Sequence, residues 1–74
     1  MELLNKILCE VFRLKEEELK DELTMEDIGK WDSLTHMDLV TSIEEGLEIQ
    51  LSMDDIVTMR DIKTIKSIVQ EKLV

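Results

Sequence analysis

The chain has 74 residues, of which 43% are hydrophobic and 36% are charged, so it can form one small domain over residues 1–74 with a thin margin of stability. Eighteen acidic residues against nine basic ones give a net charge of −9, which argues against nucleic acid and anionic membranes as partners because their phosphates would repel the chain. The single cysteine cannot form an internal disulfide, and the longest apolar run, Ile7–Cys9, is far too short for a membrane span or a signal peptide. The cytoplasm, a reducing compartment, is therefore the predicted location.

The first helix is predicted over residues 2–14, because apolar residues recur there at the spacing of one helical face. These residues are Leu4, Ile7, Leu8 and Val11. Residues 15–31 follow a looser pattern and are predicted to form a long loop with one or two helical turns. Thr24 and Asp27 match a helix start signal within this loop, and Gly29 interrupts the run that follows.

The second helix is predicted to begin at Asp32 and Ser33, since the Asp32 carboxylate can accept hydrogen bonds from the exposed backbone N–H groups of a first turn. Apolar residues follow at spacings of three and four, and Gly46 marks the predicted end or fraying point of the helix. These apolar residues are Leu34, Met37, Val40, Ile43 and Leu47.

The last third of the chain carries two more helix start signals. Ser52-x-x-Asp55 predicts a short third helix, and Thr58-x-x-Asp61 predicts a fourth helix with an apolar stripe. The absence of proline and the presence of only two glycines also favour helix. The predicted fold is therefore all-α, a four-helix bundle with a short third helix and a long loop between helices 1 and 2.

Few residues could support catalysis or metal binding. His36 is the only histidine and Cys9 the only cysteine, which is too few ligands for a zinc site, and the acids lack the spacing of a calcium loop. A triad of Ser33, His36 and an aspartate would lack an oxyanion hole. The sequence therefore predicts that the chain is not an enzyme and has no catalytic residue and no metal.

Ser33 is the remaining candidate, at the predicted start of the second helix. A phosphate esterified to its hydroxyl would lie beside free N–H groups and the positive end of the helix dipole. On these residues alone, ordinary helix capping by Asp32 and Ser33 is the simpler interpretation.

Asp32-Ser33-Leu34 resembles the signature of the acyl carrier protein family, an Asp-Ser-Leu at the start of the second of four helices. The resemblance extends with similar spacing over nearly the whole chain, from the first helix through the acidic loop ending at residues 26–29 to the last apolar stripe. Trp31, Thr35 and His36 look more like specialised stand-alone carriers of dedicated biosynthetic clusters than like housekeeping fatty-acid carriers.

The resemblance implies an acyl-carrier-like bundle in which Ser33 receives 4′-phosphopantetheine from coenzyme A, transferred by a separate phosphopantetheinyl transferase. Asp32 and Leu34 would complete the cofactor-binding motif, and Asp32 would help present the serine. The thiol of the arm would hold acyl or aminoacyl thioesters and carry them between acyl-loading and acyl-processing enzymes, in a fatty-acid or polyketide-type pathway or another specialised one. Cys9 would have no part in the thioester, and the carrier would act as a monomer.

An acidic surface is expected around the second and third helices, because residues 32–61 contain eight acids and one base. Such a run is often only a solvated face, but the resemblance favours docking onto basic patches of partner enzymes. Asp38 and Glu45, seven residues apart on the outer face, are the main predicted contacts. The other predicted contacts are Glu44, Glu48, Met37 and Thr35.

Several other residues have competing interpretations. Trp31 is predicted either to cover the start of the second helix or to border the arm or contact partners, whereas His36 is predicted to pack as a structural residue. Cys9 is predicted to face solvent. For the methionines, core packing is favoured over a lining for an acyl chain. They are Met25, Met37, Met53 and Met59.

Two alternatives from other function classes stay open. One is a carrier-like module that is never modified and interacts with partners through its acidic face. The other is a small hydrolase that uses Ser33, which a serine-directed phosphonate would detect. Modification by a transferase separates the carrier from the unmodified module.

Overall fold

A computed structural model describes residues 2–29 and 31–73, and within that range the chain forms four α-helices. They are α1 (Glu2–Phe12), α2 (Ser33–Leu47), α3 (Met53–Thr58) and α4 (Ile62–Leu73). The loop between α1 and α2 contains one short 3₁₀ helix, Glu16–Glu18. This arrangement confirms the predicted all-α four-helix fold with a short third helix and a long first loop.

The core is built from the apolar faces of α1, α2 and α4 and from a few residues in the connections. Within the described residues, every buried side chain is hydrophobic. Burying such a side chain contributes about 1.5–3 kcal/mol, so this cluster supplies most of the stability. The buried residues are Leu4, Ile7, Leu8, Phe12, Ile28, Trp31, Leu39, Val40, Ile43, Leu51, Met59, Ile62, Ile65 and Val69.

α1 ends at Phe12, two residues before the predicted end at Leu14. Arg13 adopts the left-handed conformation with a φ of 56°, and the Leu14 N–H donates a hydrogen bond to the Cys9 carbonyl at 3.0 Å. This is the hydrogen bond of a Schellman motif, which satisfies a carbonyl that the helix end leaves free. The residue at this position is arginine rather than glycine, so no local signal in the sequence marks this helix end.

Gly46 is the second-last residue of α2, so the helix ends one residue beyond the predicted end at Gly46. The left-handed residue that ends the helix is Glu48, with a φ of 54°. A Cβ atom at Gly46 would lie 2.8 Å from Cδ1 of Ile7. The glycine therefore allows α1 and α2 to approach closely.

The predicted helix start signal at Thr24 and Asp27 forms a capped turn that does not continue into a helix. The Thr24 N–H donates to Oδ2 of Asp27 at 3.0 Å, and the Asp27 N–H donates back to the Thr24 carbonyl at 3.0 Å. Thr24 also forms an antiparallel bridge with Asp61, and the Ile62 N–H donates to the Leu23 carbonyl at 3.0 Å. These bonds attach the long loop to the start of α4.

α4 begins at Ile62, three residues later than a cap at Thr58 implies. The cap is Asp61, whose Oδ1 accepts from the Thr64 N–H at 2.6 Å. Thr58 is instead the last residue of α3. Met59, which lies between the two helices in the chain, is fully buried.

α3 begins as predicted, with Ser52 as its N-cap. The Asp55 N–H donates to Oγ of Ser52 at 3.1 Å, and the Ser52 N–H donates to Oδ2 of Asp55 at 3.0 Å, which is a reciprocal capping box. None of the six residues of α3 is buried. The helix is flanked instead by the buried Leu51 and Met59.

No described helix is both long enough and apolar enough to span a bilayer. Among the same residues, no group of three or more His, Cys, Asp or Glu side chains is placed to hold a metal ion.

Candidate functional site

Ser33 is the first residue of α2 and is exposed. It is placed by Asp32, the N-cap, whose backbone is extended. Oδ1 of Asp32 accepts from the Thr35 N–H at 2.9 Å, and the Asp32 carbonyl accepts from the His36 N–H at 2.8 Å. The first N–H groups of a helix point out of its end, so a group attached to the Ser33 hydroxyl lies at the positive end of the α2 dipole.

Asp32 is held ionised by the hydrogen bonds it accepts. The Thr35 backbone N–H, followed by the Thr35 side chain, lowers the pKa of the Asp32 carboxyl below its ordinary value. A carboxylate that accepts from backbone N–H groups favours its charged form. Asp32 is therefore a fixed helix cap beside the serine, as predicted from the sequence.

Trp31 and His36 support the start of α2 from the inner side. The Trp31 ring is buried with 4% exposure, and its centroid lies 4.6 Å from that of Phe12. Trp31 Nε1 donates to Nδ1 of His36 at 2.9 Å, and Nε2 of His36 lies 2.8 Å from the Ile56 carbonyl oxygen. His36 thus packs as a structural residue, as predicted, and Trp31 covers the start of α2 rather than bordering an exposed arm.

Ser33 opens onto a cleft between α2 and α3, here called the α2–α3 cleft, of about 280 Å³. The cleft is mostly apolar and has one cationic side chain. It is lined by Met25, Ser33, His36, Met37, Ile56, Val57 and Arg60. A second, wider cleft of about 840 Å³ lies between α1 and α2 and includes Asp32, Thr35 and Asp38. The two residues of the Asp32-Ser33 pair therefore border different surfaces.

The predicted docking acids differ in how available they are. Asp38, Glu45 and Glu48 are exposed. Glu44 is half-buried, and its Oε2 accepts from the Leu51 N–H at 2.9 Å. Its carboxylate is therefore engaged with the connection between α2 and α3. Thr35, a further predicted contact, is half-buried, and its backbone N–H donates to Oδ1 of Asp32.

Exposed apolar residues lie on α2 close to Ser33 in sequence and on α3, and sequence reasoning recognised only part of them. Leu34 is 75% exposed and Met37 51% exposed on α2, while Met53 is 75% and Val57 60% exposed on α3. The sequence does hold a signal for the last two, because Met53 and Val57 are four residues apart and share a helix face. Core packing, expected for all the methionines, holds for the fully buried Met59 but is wrong for Met37 and Met53.

Cys9 lies away from the start of α2 and is half-buried, so its thiol is less exposed than predicted. Burial raises the pKa of the Cys9 thiol, and the nearby negative charges of Glu16 and Glu18 raise it further. A raised pKa reduces the thiolate fraction and with it the reactivity of the thiol.

Comparisons with known proteins support the fold described above. The family described as "Phosphopantetheine attachment site" matches residues 2–71. The solution NMR structure of a holo acyl carrier protein from Geobacter metallireducens is similar, with a TM-score of 0.84 and 29% sequence identity, over 99% of this chain and 87% of that chain. The comparison with curated proteins gives no match.

The family match covers nearly the whole chain and confirms the resemblance seen in the sequence. Carrier domains of this kind are non-catalytic, hold 4′-phosphopantetheine covalently, and interact with phosphopantetheinyl transferases and biosynthetic enzymes. The exposed serine at a helix N-terminus, with open space beside it, fits such a group. The chain therefore belongs to the phosphopantetheine attachment site family, as a carrier with the acyl carrier protein fold rather than an enzyme.

Proposed function

We propose that Ser33 carries the 4′-phosphopantetheine arm and that the chain, acting as a single carrier domain, shuttles acyl or aminoacyl thioesters between the enzymes of a dedicated biosynthetic pathway. The observation that carries this proposal is the exposed Ser33 at the first position of α2, placed there by the Asp32 cap. The arm, when bound, supplies a thiol that holds the cargo as a thioester. Cytoplasmic location and a monomeric state belong to the same proposal.

Each residue near the serine has a separate task in this proposal. Asp32 fixes the start of the helix, so the Ser33 hydroxyl has a constant position when a transferase approaches. Leu34, which is 75% exposed, gives that enzyme an apolar contact next to the reacting oxygen. Trp31 and His36 hold the preceding loop and α3 in place behind it.

The test of attachment is intact-mass spectrometry after incubation with coenzyme A and a broad-specificity phosphopantetheinyl transferase. We expect one added phosphopantetheinyl group in the wild type, none in Ser33→Ala, and one in Ser67→Ala, which changes an exposed serine on α4. No added group in a folded wild-type chain, tried with several transferases, would favour the unmodified interaction module.

We also propose that Asp38 and Glu45 steer partner enzymes that have basic patches. Both residues are exposed on α2, and complementary charge raises association rates at low salt more than it raises affinity. The half-buried Glu44, which is bonded to the Leu51 N–H, contributes less than these two, and Glu48, Met37 and Thr35 border the same contact.

The docking proposal is tested by the rate of modification at low ionic strength. We expect Asp38→Asn and Glu45→Gln each to reduce kcat/KM for the carrier by about threefold, and Glu71→Gln, an exposed acid on α4, to leave it unchanged. The difference should shrink as salt is added, because exposed charges are screened. Equal effects of all three variants would contradict a localised docking surface.

A further inference from the structure

Trp31, His36 and Ile56 form a hydrogen-bonded chain that fixes the state of the imidazole. Indole N–H can only donate, so Nδ1 of His36, at 2.9 Å from Trp31 Nε1, must accept. Nε2 then carries the proton and donates to the Ile56 carbonyl oxygen at 2.8 Å. The two contacts together assign His36 as the neutral tautomer with hydrogen on Nε2.

This chain connects three parts of the site: the loop before α2, α2 itself and α3. Trp31 lies in the loop two residues before Ser33, His36 lies three residues after it on α2, and Ile56 lies on α3. Trp31 is anchored in the core against Phe12. The hydrogen bonds therefore connect the core, the start of α2 and α3.

α3 depends on such contacts because burial holds it weakly. None of its six residues is buried, and short segments with few buried apolar contacts open at low free energy. Apart from the capping box and the bonds within the helix, two described polar contacts join α3 to its neighbours. The His36–Ile56 bond joins α3 to α2, and the pair formed by Lys72 Nζ and Asp55 Oδ2 at 2.9 Å joins it to α4. Removing the His36 bond therefore removes a large share of what sets the position of α3 relative to α2.

The position of α3 matters at Ser33 because one surface includes both helices. Ser33 and Met37 from α2 border the α2–α3 cleft together with Ile56 and Val57 from α3. Met37 and Val57 are also exposed apolar residues. An enzyme that reaches the Ser33 hydroxyl across this cleft contacts α2 and α3 at the same time.

We propose that His36 is a positioning residue: through its bond to the Ile56 carbonyl it holds α3 in the place where the modifying enzyme binds, without touching the reacting atoms. This inference rests on the proposed role of Ser33. Because His36 acts on the docking surface and not on the chemistry, its loss raises KM for the carrier and leaves kcat unchanged.

Two substitutions separate the two ends of the hydrogen-bonded chain. In His36→Gln the longer amide places an N–H donor near the former Nε2, within reach of the Ile56 carbonyl. In His36→Asn the shorter amide places an oxygen near the former Nδ1 and replaces only the acceptor for Trp31. His36→Leu removes both bonds at similar volume. The three variants therefore distinguish support of α3 from support of Trp31.

The deciding measurement is the steady-state modification of each variant by a phosphopantetheinyl transferase with coenzyme A, alongside circular dichroism to verify folding. We expect KM to rise about fivefold in His36→Leu and His36→Asn, to stay within about twofold in His36→Gln, and kcat to stay constant throughout. Unchanged KM in a folded His36→Leu, equal behaviour of the Asn and Gln variants, or a loss confined to kcat would overturn the proposal.

The position of α3 can also be followed without any enzyme. Amide exchange can be measured at the Ile56 N–H, which is bonded to Ser52, and at the Met59 N–H, which is bonded to Asp55. Exchange at both groups should accelerate in His36→Leu and His36→Asn but not in His36→Gln. Exchange in α1 and α2 should change only as much as the change in global stability requires. Unaltered α3 exchange would overturn the inference. A wild-type chain that is never modified would overturn the proposed function, whereas the exchange data decide separately whether His36 holds α3.

Discussion

α3 and α4 follow each other in the chain but are held in the fold by different means. α4 buries Ile62, Ile65 and Val69, whereas α3 buries none of its residues and relies on its cap, its flanking core residues and polar contacts. Burial of its own side chains therefore fixes α4, whereas α3 depends on its cap, its polar contacts and the core residues beside it. Ser33 borders the cleft beside α3, so the candidate attachment site lies next to the less firmly held part of the molecule.

The lengths of the two helices explain this difference. α4 has 12 residues, enough for three turns with apolar residues at spacings of three and four. α3 has six, less than two turns, which cannot present a continuous stripe and would not be stable alone. The position of α3 is therefore set by tertiary contacts.

The largest expected effect comes from a matched pair of isoleucine truncations. Ile65→Ala, at a fully buried site in α4, should lower the free energy of unfolding by about 2–5 kcal/mol because it leaves a cavity. Ile56→Ala, at a half-buried site in α3, should cost about 1 kcal/mol. Urea unfolding followed by circular dichroism measures the free energy of unfolding of both variants. Equal losses would contradict the proposed difference between α3 and α4.

A smaller effect is expected from the cap of α3. Ser52→Ala removes the acceptor for the Asp55 N–H and should cost about 1 kcal/mol, most of it as local opening of α3. Amide exchange of α3 is the measurement, with Ser67→Ala on α4 as the control. A loss of the same size in α4 exchange would show that the two helices open together.

The acid response of the two capping aspartates should differ between the helices. The Ser52 backbone N–H, with help from Lys72, lowers the pKa of Asp55 below its ordinary value, and the Thr64 hydroxyl and N–H lower the pKa of Asp61 in the same direction. Each carboxylate therefore contributes stability that is present above about pH 4 and is lost as the pH falls through the lower value in the folded protein. NMR spectra recorded at decreasing pH should show α3 opening before α4, whose buried residues still hold it. Simultaneous opening would contradict this order.

The smallest effect is expected from two ion pairs. Lys72 Nζ lies 2.9 Å from Asp55 and joins α4 to α3, whereas Lys66 Nζ lies 2.6 Å from Asp21 and joins α4 to the long loop. Exposed pairs of this kind contribute about 0.5 kcal/mol. Lys72→Met should accelerate amide exchange in α3, and Lys66→Met should not. An identical pattern of amide exchange in the two variants would contradict a specific role of the Lys72–Asp55 pair in holding α3.

Local signals allowed the starts of α2 and α3 to be predicted, because a cap involves residues close in sequence, whereas the signal at Thr24 starts no helix and α4 begins at Ile62 rather than after Thr58. Asp32 and Ser52 both cap their helices as expected. The helix ends were less predictable, since Arg13 and Glu48 adopt left-handed conformations that glycine or asparagine usually marks. Gly46 lies one residue before the end of α2, and the closeness of Ile7 at this position depends on how α1 and α2 pack.

The candidate site was predictable only in part. The position of Ser33 at the start of α2 followed from the Asp-Ser pair, but the α2–α3 cleft required the placement of α3. The bond between His36 and the Ile56 carbonyl joins positions 20 residues apart, and a backbone acceptor has no sequence signature. Charge alone also could not show that Glu44 is engaged with the Leu51 N–H while Asp38 stays exposed.

Trp31 is the only tryptophan of the chain, and it lies buried beside a histidine, two residues from Ser33. Its fluorescence therefore reports on this one place, without a label and without background from another indole or from tyrosine, which the chain lacks. Emission from a buried indole occurs at shorter wavelength than emission from one in water. The protein thus contains its own optical probe, by which attachment of an arm, loading of a cargo or binding of a partner near Ser33 can be followed in real time.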